Sequence, residues 1–345
     1  MDQKMNIPEL LLRPAFSVED GRINRINREA GKYLLEEGTP ILSLITAGQE
    51  EYEAFQDGVL SLTLCIQGKS IAASVQNTDQ GQLFILEQEQ QDAYLQSMAL
   101  AAQQLRGPLT GMMAAVDRME QGDEQLNRRM YQMLRIVSNM SDTARFASPN
   151  LHQEYVDAVA LTKEIFDRAA AFAEESGFTI QLCAPTAPIY TLANPELLER
   201  AIYNLLSNAM KFSPEAGRIQ ATLCQNGSRL RLTVEDAGHG MDIGIQSSLF
   251  QRYQRQPGIE DPTHGLGLGM AVVRLAATVH GGTVLIDHPR ESGTRITLTF
   301  AIRETSSNIV RSPMLYPDYA GGRDHALIEL SDVLPASLYK NENLR

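Results

Sequence analysis

Asn204 and Asn208 lie four residues apart within Glu199-Arg-Ala-Ile-Tyr-Asn-Leu-Leu-Ser-Asn-Ala-Met-Lys-Phe-Ser-Pro214, so on a helix both amides share one face, with Lys211 about one turn further on. Amide oxygens suit a Mg²⁺ that keeps most of its waters and is otherwise held by phosphate oxygens; a lysine beside them offsets phosphate charge. Taken alone, two asparagines on a helix more often face only water. A second fragment, Glu235-Asp236-Ala237-Gly238-His239-Gly240-Met241, ends an apolar, β-branched stretch. Ionised Asp236 can only accept hydrogen bonds, which suits the exocyclic amine of adenine and repels the carbonyl oxygen of guanine. Gly238 and Gly240 let the backbone approach a base. Phe250-Gln-Arg-Tyr-Gln-Arg255 forms a third fragment. A fourth, Gly265-Leu-Gly267-Leu-Gly269, opens a helix, so its backbone N–H groups and the helix N-terminus face an anion. Its spacing, and the polar loop before it, are not those of a dinucleotide fingerprint. Ser292-Gly293-Thr294 precedes the last strand. Each fragment alone is common; their order and spacing together are highly specific.

The elements that position these residues read as a multidomain α+β chain of four segments. Residues 1–88 alternate strand-like and helical stretches: strands at 15–19 and 21–24 around an Asp-Gly turn, a helix at 27–36, then strands at 60–67, 70–77 and 82–87. Residues 89–150 read as a helical hairpin. Leu95, Met98, Ala102, Leu105, Leu109, Met112, Val116 and Met119 alternate spacings of three and four, as do Leu126, Met130, Met133, Val137, Met140, Ala144 and Ala147. The break falls at Gln121-Gly-Asp-Glu124, with Asp123 as N-cap of the second helix. Two such seams are not both satisfied within one hairpin, which predicts a dimeric four-helix bundle through residues 89–150. The methionines are core filler rather than metal ligands. Residues 153–302 read as an α/β domain, with helices at 156–175, 195–211 and 270–280 and strands at 178–183, 219–225, 229–235, 282–287 and 295–301. Residues 303–345 form a Ser/Pro/Gly-punctuated tail with one amphipathic piece, 325–335. Packing of that piece on the α/β domain competes with docking of a partner and with an intramolecular clamp. Pro335 would end any helix there, leaving Leu338-Tyr339 as a second anchor.

Composition excludes several classes. The formal charge of −12 in 345 residues argues against a nucleic-acid or anionic-membrane surface. No apolar run approaches the roughly 18 residues of a membrane span, and the N-terminus lacks a signal-peptide pattern. Three cysteines without paired spacing fit a reducing, cytoplasmic setting with no metal site and no disulfide framework.

From about 155 to 302 the chain resembles the ATP-binding domain of sensor histidine kinases, of the Bergerat or GHKL type. NLLSNAMKFSP resembles the N box, DAGHGM the G1 box, FQRYQR the F box and GLGLGMAVVRLAATVHGG the G2 box. The resemblance implies an α/β sandwich binding ATP and Mg²⁺ under a lid at about 255–264. Asn208 would hold Mg²⁺, and Asn204 and Lys211 would serve metal and phosphates. Asp236 would take the adenine, and Gly265, Gly267 and Gly269 the phosphates, with Phe212, Gly238, Gly240 and Arg255 completing the site.

PAFSVEDGRINRINREAGKYL resembles the opening of a PAS sensor domain; a small α+β dimerisation domain without ligand is the competing reading of residues 1–88. QLRGPLTGM resembles the HELRTPLT signature of the family's dimerisation hairpin, with departures. Gln103 stands at the phosphoacceptor histidine, Gln104 at its acidic neighbour and Gly107 at the threonine. An amide nitrogen is no phosphoryl nucleophile, because its lone pair is delocalised. The first histidine of the chain is His152.

The resemblance therefore implies an ATP-binding, histidine-kinase-like signalling protein that does not autophosphorylate on histidine. It would be a pseudo-kinase or a phosphotransferase acting on another protein, with a response regulator or another kinase as partner. A GHKL ATPase or anti-sigma-like serine kinase is the alternative; those relatives place a glutamate base where this chain has Asn204. A scaffold with a dead nucleotide site is the third reading. His239, His264, His280, His152 and His325 have no catalytic part in any of these, and His280 would sit as a cation at a helix C-terminus.

Overall fold

The structure is a computed structural model that describes residues 13–79, 81–87, 92–117, 123–145, 151–214, 216–240, 268–289, 293–303, 322–340 and 344; at 92–98 and 142–145 only the backbone is described.

The Asp20-Gly21 turn joins β1 (Ala15–Glu19) to β2 (Arg22–Ile26). The helix expected at 27–36 is only a 3₁₀ turn, Ala30–Tyr33. Its start is fixed by Asn27, whose side-chain oxygen accepts from both Ala15 N (3.0 Å) and Ala30 N (2.8 Å). Leu34, at φ 53°, ends it in the left-handed region. Next come β3 (Ile45–Ala47) and a short helix that the sequence pattern does not announce, α1 (Gln49–Glu53). The meander β4 (Val59–Ile66), β5 (Lys69–Thr78) and β6 (Gly81–Leu86) lies where expected. The strands run in the order β2-β1-β6-β5-β4, around a core in which Phe16 and Phe84 stack at 4.9 Å.

The hairpin is α2 (Asp92–Val116) and α3 (Glu124–Arg145). Asp123 caps α3, its carboxylate accepting from Gln125 N at 2.8 Å and Leu126 N at 3.3 Å. Helix α2 continues through Pro108, which removes one backbone donor. The 3-4 pattern splits into two rows. Ala102, Leu109 and Met113 of α2 are buried, as are Met130, Leu134 and Val137 of α3, whereas Leu105, Met112, Leu126 and Met133 are exposed.

In the second half, β7 (Glu154–Asp157) pairs with β9 (Tyr190–Ala193), a ribbon absent from the sequence reading. Helix α4 (Ala158–Glu174) starts at Asp157, whose carboxylate accepts from Val159 N and Ala160 N. After β8 (Thr179–Cys183), α5 (Pro195–Phe212) is capped by Asn194, which accepts from Leu197 N at 2.8 Å, with Pro195 in the first turn. Strands β10 (Arg218–Asn226) and β11 (Arg229–Glu235), helix α6 (Gly269–Val279), and strands β12 (Val284–Asp287) and β13 (Arg295–Ala301) complete the layer. Alternate residues of β10 and β11, among them Ile219, Ala221, Leu223, Leu230, Leu232 and Val234, are buried, the period-2 signature of a sheet with one covered face.

The two sheets are continuous. β12 pairs antiparallel with β4, with Val284 opposite Ser61 and Ile286 opposite Val59. Eleven of the thirteen described strands therefore form one sheet, β2-β1-β6-β5-β4-β12-β13-β11-β10-β8, with β3 on β4, and β7 and β9 stand apart as the two-stranded ribbon. Glu51–Arg229 (3.2 Å) and Glu87–Arg274 ion pairs tie the same two halves together.

In the tail, Asp324 caps α7 (His325–Glu329), and Ala336–Tyr339 forms a 3₁₀ turn after Pro335. Ala326, Leu327, Ile328, Leu330, Leu334, Leu338 and Tyr339 are all buried in the same core as α3, α4 and α5. Tyr339 meets Tyr131 of α3 edge to face at 5.2 Å. The amphipathic piece thus packs on its own chain, and its apolar side chains are accounted for by that burial.

Candidate functional site

The site forms where the C-terminal end of α5, the end of β11 and the start of β13 converge. Asp236 follows β11 directly, and its backbone N donates to Thr294 O at 3.0 Å. Its carboxylate Oδ1 accepts from Gly238 N (2.8 Å) and Thr294 N (3.2 Å), while Oδ2 makes no hydrogen bond with any described residue. One oxygen is fixed and the other is presented. Burial pushes this carboxyl above its ordinary value, only partly opposed by the two backbone donors. A carboxylate in a partly desolvated wall makes stronger hydrogen bonds than one in water.

Gly238 is required by contact. A Cβ there would stand 2.2 Å from Phe212 O, so the turn after Asp236 lies directly on the end of α5. Phe212 meets His239 edge to face at 6.1 Å, and Lys211 Nζ lies 5.9 Å from the Phe212 ring. Lys211, Phe212, Asp236 and Gly238 are thus brought together, with Gly240 (φ 77°) just beyond.

The two asparagines part company. Asn208 is half-buried and makes no hydrogen bond with any described residue, so its amide is open to a ligand. Asn204 is only 1% exposed. Its Nδ2 donates to Arg200 O (2.8 Å) and its Oδ1 accepts from Arg135 Nη2 of α3 (3.2 Å). It also faces the first residue of α6, where a Cβ on Gly269 would stand 2.7 Å from Asn204 Oδ1. Arg255, Gly265, Gly267 and the 250–255 segment lie outside the described residues.

Two neighbours of the site were invisible in the sequence pattern. Arg135 is 69 residues from Asn204, and no spacing signal spans two separate helices. His280 is not the expected helix-terminal cation. It is 1% exposed, accepts from Asn194 N through Nε2 (2.9 Å) and faces Ala276 O through Nδ1 (2.7 Å), and burial pushes its pKa down to about 4. Neutral His280 thereby anchors the N-cap of α5.

The residues present fit an adenine nucleotide with a hard cation: an open amide oxygen at Asn208, an ammonium at Lys211, and a free carboxylate oxygen at Asp236 in a wall of sheet and helix. Among the described residues, no cluster of three or more His, Cys, Asp or Glu could hold a metal without such a ligand.

The sequence profile of the histidine kinase-, DNA gyrase B- and HSP90-like ATPases matches residues 193–304. The chain carries a GHKL ATP-binding domain of the histidine kinase family. This domain spans α5 to β13 and contains every residue of the site except Arg135. Similar proteins include the hybrid signal transduction histidine kinase D of Dictyostelium discoideum, 27% identical over 222 residues, covering 59% of this chain and 14% of that protein. The heme sensor protein HssS of Staphylococcus saprophyticus is 26% identical over 208 residues, covering 57% of this chain and 44% of its own. The sensor histidine kinase WalK of Bacillus subtilis is 25% identical over 237 residues, covering 64% and 39%. The chain thus spans less than half the length of each of these relatives. Among solved structures, a mycobacterial sensor histidine kinase, MprB, overlaps 45% of this chain and 100% of its own at 27% identity and a TM-score of 0.37. Full-length ShkA in complex with AMPPNP overlaps 61% and 47% at 23% identity and a TM-score of 0.49. No described helix is long and apolar enough to cross a membrane.

Proposed function

We propose that the protein is a cytoplasmic, ATP- and Mg²⁺-binding signalling protein of the histidine kinase class that does not autophosphorylate on histidine. The observation that carries the nucleotide reading is Asp236, with one carboxylate oxygen pinned by two backbone N–H groups and the other free to accept from the exocyclic amine of adenine. Asn208 would hold Mg²⁺ through its open amide oxygen and Lys211 would balance phosphate charge. Mg²⁺, when bound, would neutralise charge on the phosphates. Asp236, with the backbone around Gly238, orients the base.

The hairpin supports the second half of the reading. Gln103 and Gln104 lie exposed on α2, where the resemblance puts the phosphoacceptor and its acidic neighbour. Neither amide can take a phosphoryl group. The exposed row Leu105, Met112, Leu126 and Met133 is the apolar face that a second copy would cover in a four-helix bundle through residues 89–150. Residues 13–87 would serve as a PAS-like sensor, supported by two opening strands, a helical crossover and a three-stranded meander in the order β2-β1-β6-β5-β4. A response regulator or another kinase would receive the output. The ATPase or serine-kinase alternative is not favoured: the position that would need a carboxylate base is Asn204, a buried amide that hydrogen-bonds Arg135 and Arg200 O and cannot take up a proton as a base would.

Incubation with γ-labelled ATP and Mg²⁺, alone and with candidate receiver domains, tests this. The expected outcome is adenine-selective binding with no acid-labile label on residues 89–150. Label there, or equal affinity for ATP and GTP, overturns the reading.

A further inference from the structure

The tail does more than cover apolar surface, because its carboxylates reach the nucleotide helix through an arginine of the hairpin. Arg135 of α3 is 7% exposed. Its Nη1 pairs with Asp332 Oδ2 at 2.8 Å, its Nε lies 3.6 Å from Glu329 Oε2, and its Nη2 donates to Asn204 Oδ1 at 3.2 Å. Glu329 also pairs with Arg200 of α5 at 3.4 Å, with both side chains fully buried. Arg128, two turns before Arg135 on α3, donates to Ser331 O (3.1 Å) and Asp332 O (3.0 Å). At the other end of α7, His325 Nδ1 meets Glu199 of α5 at 2.9 Å. The tail thus grips α3 and α5 at once, and the matched ATPase segment ends before it, at residue 304.

We propose that residues 322–340 form an autoinhibitory bolt. Held by Asp332 and Glu329, Arg135 occupies the acceptor of Asn204 and locks the hairpin onto the ATP domain. Arg135 and Arg200 O already hold one acceptor site and one donor site of this buried amide, so a phosphate or a metal-bound water that needs Asn204 Oδ1 competes with Arg135. The hairpin also cannot move relative to α5 without breaking a desolvated ion-pair network. Nucleotide binding that draws on Asn204 must release Arg135, and by linkage must loosen the tail; conversely, loosening the tail must raise nucleotide affinity by the same factor. The inference rests on the nucleotide reading above, and the test separates the two.

The full chain is titrated with Mg²⁺·ATP by calorimetry, and amide exchange of residues 326–334 is compared with and without saturating ligand. The bolt requires faster exchange of the tail in the bound state. Unchanged or slower exchange at proven saturation overturns it, even though the nucleotide reading stands. Asp332→Asn removes the Arg135 anchor with little change in volume. It should bind Mg²⁺·ATP at least about fivefold more tightly than wild type, the lower range of allosteric couplings; equal or weaker affinity in a variant with native circular dichroism overturns the bolt. Should Asp332→Asn fail to fold, the exchange comparison on the unaltered protein still decides. Binding by the variant alone supports the bolt. Binding by neither overturns the nucleotide reading and leaves the tail a purely structural element.

Discussion

Helix α5 is held by two different kinds of neighbour along its length. Its C-terminal end, at Lys211 and Phe212, meets Asp236, Gly238 and Thr294, all inside the matched ATPase segment 193–304. Its earlier turns, at Glu199, Arg200 and Asn204, meet His325, Glu329, Asn139 and Arg135, all outside that segment. The end at Asp236 is therefore self-contained, whereas the earlier turns depend on parts of the chain that the matched segment does not supply. The first is built mostly from backbone donors and one carboxylate; the second from charged side chains in an almost dry interior. The second kind of contact is strong only when complete, so one end should tolerate change and the other should not.

The largest effect is expected at the dependent end. Glu329→Ala leaves Arg200 and Arg135 facing a buried void and should destabilise the fold by about 3–5 kcal/mol, measured by denaturant unfolding. A loss below about 1 kcal/mol would mean the network contributes no more than surface pairs do.

Next comes His280, which belongs to the N-cap of the same helix. Its pKa is pushed from 6.5 down to about 4 by burial. The unfolded chain therefore binds a proton before the folded one, so stability is full above pH 6.5 and is lost as pH falls towards 4. The loss should approach about 3 kcal/mol, and His280→Gln should flatten it. A wild-type profile flat between pH 7 and 4.5 would show His280 to be charged in the fold.

At the self-contained end, Asp236→Ala should weaken ATP binding by about 2–3 kcal/mol while changing the fold much less. Burial raises the pKa of this carboxyl. The ionised acceptor should therefore be lost, and ATP affinity fall, at a higher pH than for an ordinary aspartate. Calorimetric titration across pH checks both; a mutant affinity equal to wild type would detach Asp236 from adenine.

The smallest effect on the fold itself is expected on the hairpin. Leu105 is 54% exposed, so Leu105→Glu should change monomer stability by no more than about 0.5 kcal/mol, yet it should dissociate a dimer in sedimentation. Leu109, at 2% exposure, cannot serve this test, because a charge there disrupts the hairpin first.

Much of this was legible in the residues. The strand-like runs between turn signals match β1, β4, β5, β6, β10, β11 and β13 to within a residue or two. Asp123 was readable as a cap, because capping is local chemistry. The helix expected at 27–36 fails because Asn27 bonds back to β1, a contact between strand and turn that periodicity does not encode. The ribbon of β7 and β9 is missed because each strand is four residues long, too short for a pattern.

What the sequence determined by itself is the chemistry at hand: an aspartate before a glycine turn, and an asparagine and a lysine on one helix. Those are matters of residue type and short spacing. Tertiary structure alone decided which of the two asparagines stays open, that Arg135 and the tail carboxylates meet α5, and that β4 and β12 join two sheets into one. Each depends on segments tens to hundreds of residues apart being desolvated against one another. Burial and charge pairing act through space, and no spacing along the chain records them.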